Sequence, residues 1–204
     1  MKNKRAITFL LAVSFVIALA AIAPGTGSAT ETMSGIAIGQ AVPEFKLTDT
    51  NGKAQSLATL KGKNGTVFIF VSTRCPISNG YNERMEKLAE DYRARGINIV
   101  GVNANSTETT DDVKAHATTN HFTFMVLKDV GNKVADIFGA QHTPEAYLLD
   151  ASGKLVYHGR IDNGRSAEDA TSNDLRNALD EVLAGKPVTK AEALAFGCSI
   201  KRVS

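Results

Sequence analysis

Thr66-Val67-Phe68-Ile69-Phe70-Val71-Ser72-Thr73-Arg74-Cys75-Pro76 is the stretch that organises the rest of the chain. Thr66 to Val71 is a continuous β-branched and aromatic run, the pattern of a strand buried on both faces. Ser72-Thr73-Arg74 breaks it, and Cys75-Pro76 opens a helix. Proline suits a first helical turn because its missing N–H has no partner there. A thiol at this junction faces unpaired N–H groups and the positive end of a helix dipole, and both favour the thiolate. Arg74 adds an adjacent cation. A thiolate so placed is nucleophilic near neutral pH. The competing reading is an inert buried cysteine, and the strand–Cys–Pro–helix junction argues against it.

Downstream, Tyr81, Met85, Leu88 and Tyr92 recur at helical spacing, predicting one helix from about Ile77 to Arg95 that ends at Gly96. Ile97 to Asn103 is the next strand, so the unit is a strand–helix–strand crossover, right-handed and parallel. Thr110 to Asn120 reads as a helix with Asp111 and Asp112 in its first turn. A short strand over Phe122–Leu127 and a short helix over Asn132–Phe138 follow. Ala146–Asp150 and Leu155–Ile161 form a hairpin around Ala151-Ser152-Gly153-Lys154. Asn173–Ala184 is amphipathic, and Lys190–Phe196 is expected to add a last helical turn or two before Gly197-Cys198. Upstream, Val42–Asp49 alternates apolar and polar, Asn51-Gly52 is a hairpin turn, and Ala54–Leu60 is the expected return strand. The order predicts an α/β fold: one mixed central sheet flanked by helices, with an N-terminal β-hairpin extension.

The chain's 204 residues start with Met1-Lys2-Asn3-Lys4-Arg5, an apolar run from Ile7 to Ile22, and the small residues Gly27-Ser28-Ala29. That is the layout of a secretory signal peptide. The expected organisation is therefore a signal peptide over 1–29, a lead-in over 30–38, one domain over 39–184 and a tail over 185–204 carrying Cys198. The expected location is exported, periplasmic or secreted, with the membrane touched only through an uncleaved leader. Lys2, Lys4 and Arg5 are the leader's only charges, so the 23 basic and 21 acidic residues balance almost to neutrality without it. No basic run points to a nucleic acid. Among His116, His121, His142 and His158 no close ligand pair appears, so no metal and no other cofactor is expected. The two cysteines are too few for a disulfide scaffold. If they pair, they close one long loop. Their spacing fits a reactive cysteine with a distant partner as well as a static staple, which would be worth about 4–5 kcal/mol in the chain-entropy model.

Phe70 to Ser78 resembles the active-site turn of the thioredoxin superfamily, and Thr143-Pro144-Glu145 resembles its cis-proline loop. The lead-in Val42-Pro43-Glu44-Phe45-Lys46-Leu47 and the turn Asp150–Leu155 are similar to the AhpC/TSA, peroxiredoxin-like (redoxin) branch. Cys75-Pro76-Ile77-Ser78-Asn79, Tyr81-Asn82-Glu83-Arg84-Met85 and Gly197-Cys198-Ser199-Ile200-Lys201 resemble a group of exported redoxin-domain proteins. The resemblance implies a thioredoxin-like fold and a thiol–disulfide oxidoreductase. In that reading Cys75 attacks, Cys198 resolves, Thr143 and Pro144 position the partner, and Ser72 or Ser78 hydrogen-bonds the sulfur. The implied partners are a protein thiol or disulfide, or a hydroperoxide, together with a thiol reductant.

Two departures from the family pattern shape the expectation. Ser78 stands where the superfamily has its second cysteine, so a mixed disulfide at Cys75 has no local resolving thiol. Phe68 and Ser72 stand where peroxiredoxins have proline and threonine, and the supporting arginine is replaced by Thr143-Pro144. Peroxide reduction needs donors on the oxygen under attack, which leaves Arg160 as the candidate substitute and favours disulfide exchange. A thiol-dependent peroxidase is the alternative activity. A copper- or protein-binding module with a structural disulfide is the other, with His142 the histidine placed to join Cys75 and Cys198 on copper.

Overall fold

The computed structural model describes residues 35–203, so the expected leader and most of the lead-in lie outside the described residues. In chain order the elements are β1 (Lys46–Asp49), β2 (Ala54–Ser56), α1 (Leu57–Leu60), β3 (Gly65–Phe70), α2 (Pro76–Asn79), α3 (Asn82–Arg93), β4 (Ile97–Asn103) and α4 (Thr110–Thr119). They continue with β5 (Met125–Lys128), α5 (Lys133–Phe138), β6 (His142–Thr143), β7 (Glu145–Asp150), β8 (Leu155–Gly159), α6 (Asp174–Leu183), β9 (Glu192–Ala193) and β10 (Cys198–Ser199). One mixed sheet runs β2-β1-β5-β4-β3-β7-β8-β9, and β10 and β6 form a separate two-stranded ladder.

The run that opened the reading sits at the centre. Every residue of β3 is buried, and it pairs parallel to β4 and antiparallel to β7. Strand alternation sends Val67, Ile69 and Val71 to one face, against Met85, Leu88 and Tyr92 of α3 and Leu175 and Leu179 of α6. Phe68 and Phe70 point to the other face, where Phe68 meets Phe138 and Phe70 meets Phe138 and Tyr147, with ring centroids 5.4–6.0 Å apart. The β3–β4 and β4–β5 pairs are both parallel, as the crossover reading requires. The N-terminal hairpin joins the sheet through β1 and β5.

Three expectations are corrected. The return strand of the hairpin stops at Ser56, because Ser56 and Thr59 form a reciprocal capping box that starts α1. The expected single helix over Ile77–Arg95 is broken at Gly80-Tyr81. There the Gly80 carbonyl accepts the Arg84 guanidinium (3.1 Å), and that guanidinium stacks on the Tyr81 ring. Glycine inside a helix already costs about 1 kcal/mol. Finally, Lys190–Phe196 is not helical. β9 lies parallel to β8, with Arg160 N–H on the Ala193 carbonyl (3.2 Å). Gly159 allows this approach, since a Cβ there would meet the Ala193 oxygen at 1.9 Å. Residues 185–203, expected as a tail, thus add a strand to the main sheet. Among the described residues no helix is long and apolar enough to cross a membrane.

Candidate active site

Cys75 caps the N-terminus of α2 and is 3% exposed. Its sulfur receives the Ser78 N–H at 3.4 Å. The two serine hydroxyls bond the loop backbone rather than the sulfur. Ser72 Oγ accepts the N–H groups of Cys75 (3.0 Å) and Arg74 (3.2 Å), and Ser78 Oγ accepts the N–H of Ser72 (3.1 Å). Of the two serines expected to hydrogen-bond the sulfur, Ser78 does so, through its backbone N–H, while both hydroxyls hold the loop. Backbone donors buried in a loop need acceptors, and the hydroxyls supply them. Because α2 is only one turn long, the sulfur is stabilised by a local N–H more than by a long helix dipole.

With both acceptor positions of Ser72 in use, its own proton is free to donate. It goes to Glu108 Oε1 at 2.5 Å, while Glu108 Oε2 accepts from Thr73 N–H (2.8 Å) and Asn103 Nδ2 (2.6 Å). Glu108 is 3% exposed. Burial pushes its carboxyl up, but the bonds from Ser72, Thr73 and Asn103 outweigh that and hold it below the ordinary glutamate value. Lys128 sits behind, its ammonium on Asn103 Oδ1 (2.8 Å) and the Asn105 carbonyl (2.7 Å). Burial pushes Lys128 down, and Glu108 partly opposes the shift. The sequence reading missed Glu108. Its one signal is an acid in a polar loop directly after a buried strand.

Opposite the sulfur, the Thr143–Pro144 peptide is cis, and Pro144 is buried. The Thr143 carbonyl oxygen lies 3.4 Å from Cys75 Sγ. β10 runs antiparallel along β6, pairing Cys198 with Thr143 and Ser199 with His142. Cys198 is disulfide-bonded to Cys75, with 5.9 Å between the Cα atoms. Cys75, Cys198, Thr143, Pro144, Ser72 and Ser78 therefore share one site. The tail beyond is fastened by Ile200 N–H to the Gln141 carbonyl (2.9 Å) and Lys201 N–H to Asn105 Oδ1 (2.9 Å).

Glu145, also missed from sequence, braces the cis-proline loop from behind. Its Oε2 accepts from Gln141 N–H (2.7 Å) and His142 N–H (2.9 Å), and its Oε1 meets Tyr147 OH (3.0 Å) and His158 Nε2 (2.6 Å). Burial raises this carboxyl, and His158 with the two N–H groups lowers it further than burial raises it. Arg160, the candidate substitute for a peroxidase arginine, is held by Asp174 at 2.8 Å. Arg74 pairs with Asp112 at the surface. Among the described residues no group of three or more His, Cys, Asp or Glu is placed to share a metal ion.

A cysteine at a strand–helix junction, a cis-proline loop against its sulfur, and a second cysteine on an adjoining strand together form a dithiol–disulfide centre. The surrounding architecture is thioredoxin-like. The chain is similar to the thiol-disulfide oxidoreductase ResA of Halalkalibacterium halodurans, 32% identical over 118 residues that cover 58% of this chain and 65% of that protein. It is also similar to the chloroplastic peroxiredoxin Q of Populus jackii, 30% identical over 132 residues, or 60% of this chain and 61% of that one. It thus spans less than two thirds of the length of either relative. A crystal structure of a hypothetical protein from Sinorhizobium meliloti 1021 matches with a TM-score of 0.77 at 35% identity, covering 83% of this chain and 97% of that one. The AhpC/TSA family model matches residues 38–158, from ahead of the N-terminal hairpin into β8, and the chain belongs to that family.

Proposed function

We propose that this chain is an exported thiol–disulfide oxidoreductase that acts on a protein disulfide through Cys75 and Cys198. The observation that carries the reading is the Cys75–Cys198 bond lying directly against the cis-proline loop. In the reduced protein the Cys75 thiolate, supported by the Ser78 N–H, attacks one sulfur of a substrate disulfide. A Cys75–substrate bond forms, and the other substrate sulfur leaves as a thiolate with the bonding pair. The Cys198 thiolate then attacks Cys75 Sγ, closes the internal disulfide and releases the second substrate thiolate. An external dithiol supplies the two electrons that reopen the bond. The same centre run backwards oxidises a substrate dithiol.

Exchange fits the site better than peroxide reduction. The only hydrogen bond to the sulfur from a nitrogen among the described residues is the Ser78 N–H, and both arginines near in sequence or expected there are engaged by carboxylates. A peroxide oxygen would lack the cationic donors that stabilise its departure. The basic and apolar N-terminal run supports export, where a disulfide persists.

Reduction of a mixed-disulfide substrate by the purified protein tests the reading. Cys75→Ser is expected to abolish turnover. Cys198→Ser is expected to permit one attack and then accumulate a Cys75–substrate adduct visible by mass. Normal turnover in Cys75→Ser, or unimpaired release of substrate in Cys198→Ser, would overturn it.

A further inference from the structure

The tail of the chain occupies the place where another cysteine-bearing peptide would have to lie. Exchange at Cys75 requires an incoming sulfur close to the position that the Cys198 sulfur holds, because only there does it contact Cys75. Cys198 arrives on an extended strand whose backbone pairs with His142-Thr143. Most of what holds that strand is indifferent to side chains. The Gln141 carbonyl takes the Ile200 N–H, Asn105 Oδ1 takes the Lys201 N–H, and the Ser106 N–H reaches the Lys201 carbonyl at 2.8 Å. Any extended peptide could replace these bonds.

Two tail positions are read by shape. At Gly197 an added Cβ would lie 2.0 Å from the Thr143 carbonyl oxygen and 2.7 Å from its carbon, so the residue before the cysteine has no room for a side chain. At Ile200 the side chain is 6% exposed and joins the core cluster containing Phe70, Phe138 and Tyr147. Between them Ser199 is exposed and Lys201 beyond is exposed as well, so those positions are unread.

We infer that the groove along His142-Thr143 is a docking site for an extended polypeptide of the pattern Gly-Cys-x-aliphatic, and that residues 197–201 are an internal copy of that ligand. The inference rests on the disulfide-exchange function and adds to it the class of partner. A tethered copy has a high effective concentration, so the partner must displace the tail when it docks.

The test uses the full chain carrying Cys198→Ser, reduced, with synthetic peptides whose cysteine is joined to 5-thio-2-nitrobenzoate. Cys75 attacks the peptide sulfur, a Cys75–peptide disulfide forms, and the coloured thiolate leaves with the electron pair. The peptide Ala-Gly-Cys-Ser-Ile-Lys is expected to react about tenfold faster than the versions with alanine for glycine or serine for isoleucine. Adding Gly197→Ala to the protein is expected to loosen the tail and raise the rate with the preferred peptide several-fold. Equal rates for the three peptides would overturn the docking site while leaving exchange intact. No reaction with the peptides or with Ellman's reagent would overturn the exchange reading and the docking site with it.

Discussion

Cys75 stands on a loop whose polar groups are paired from inside the protein, whereas Cys198 stands on a strand held along an edge. Behind Cys75, two serines, Glu108, Asn103 and Lys128 form a continuous buried network. Behind Cys198 there is a short ladder, a few main-chain bonds, one apolar anchor, Ile200, and the partly exposed pair of Arg202 with Asp136. In the proposed exchange, the attacking sulfur is thereby fixed in place and the resolving sulfur lies on the less deeply braced strand. An exchange centre needs this asymmetry, since the mixed disulfide must form before the resolving thiol returns.

The contrast can be broken most severely from the Cys75 side. Glu108→Gln sets a carboxamide N–H₂ against the donors of Thr73 or Asn103 and removes the carboxylate that most offsets the burial of Lys128. A loss of about 3 kcal/mol is expected, read as a lower urea midpoint of the oxidised protein. The same group sets part of the acid dependence. Glu108 and Glu145 are both held below the ordinary glutamate value of 4.5, so the unfolded chain takes up their protons at higher pH than the folded one. Their stabilisation is fully present above that value and is lost as pH falls through the lowered folded values. The urea midpoint should be flat in this respect near neutrality and drop below about pH 4.5, less steeply in Glu145→Gln.

The Cys198 side should respond in redox terms. Ile200→Ala removes the apolar anchor of the docked tail, at a cost of about 2 kcal/mol. If the tail detaches on reduction, that cost falls on the oxidised form alone and raises the reduction potential by about 40 mV. An unchanged potential with a lowered urea midpoint would mean that the tail stays docked in both states. The smallest effect is expected at Arg74→Ala. Its pair with Asp112 is exposed, with side-chain exposures of 61% and 40%, and such pairs contribute little. The unfolding midpoint and the rate of attack should both stay unchanged.

The parts legible in the sequence are those whose signal is local. The strand–Cys–Pro junction, the Asn51-Gly52 hairpin and the Thr143-Pro144 loop each announce themselves within a few residues. The break at Gly80-Tyr81 escaped because Ile77, Tyr81, Met85 and Leu88 keep helical spacing across it. At the break Arg84 bonds the Gly80 carbonyl and is drawn to Asp162 and the Gly164 carbonyl, far along the chain. β9 escaped because Glu192 and Ala193 carry no strand pattern, and Gly159 on the neighbouring strand is what admits them. Glu108 and Glu145 escaped for the same reason. Each works through main-chain N–H groups whose positions exist only once the sheet has formed.

The disulfide joins residues 123 apart in sequence, and this gives the protein a mechanical asymmetry. Pulled from points outside the two cysteines, the oxidised chain carries load up to Cys75, across the sulfur–sulfur bond and out from Cys198. Nearly all of the sheet beyond β3, with its helices, hangs outside that load path. Reduction puts it in line and releases about 400 Å of hidden contour, so the thiol state of one site decides how much of the molecule a stretching force can unravel.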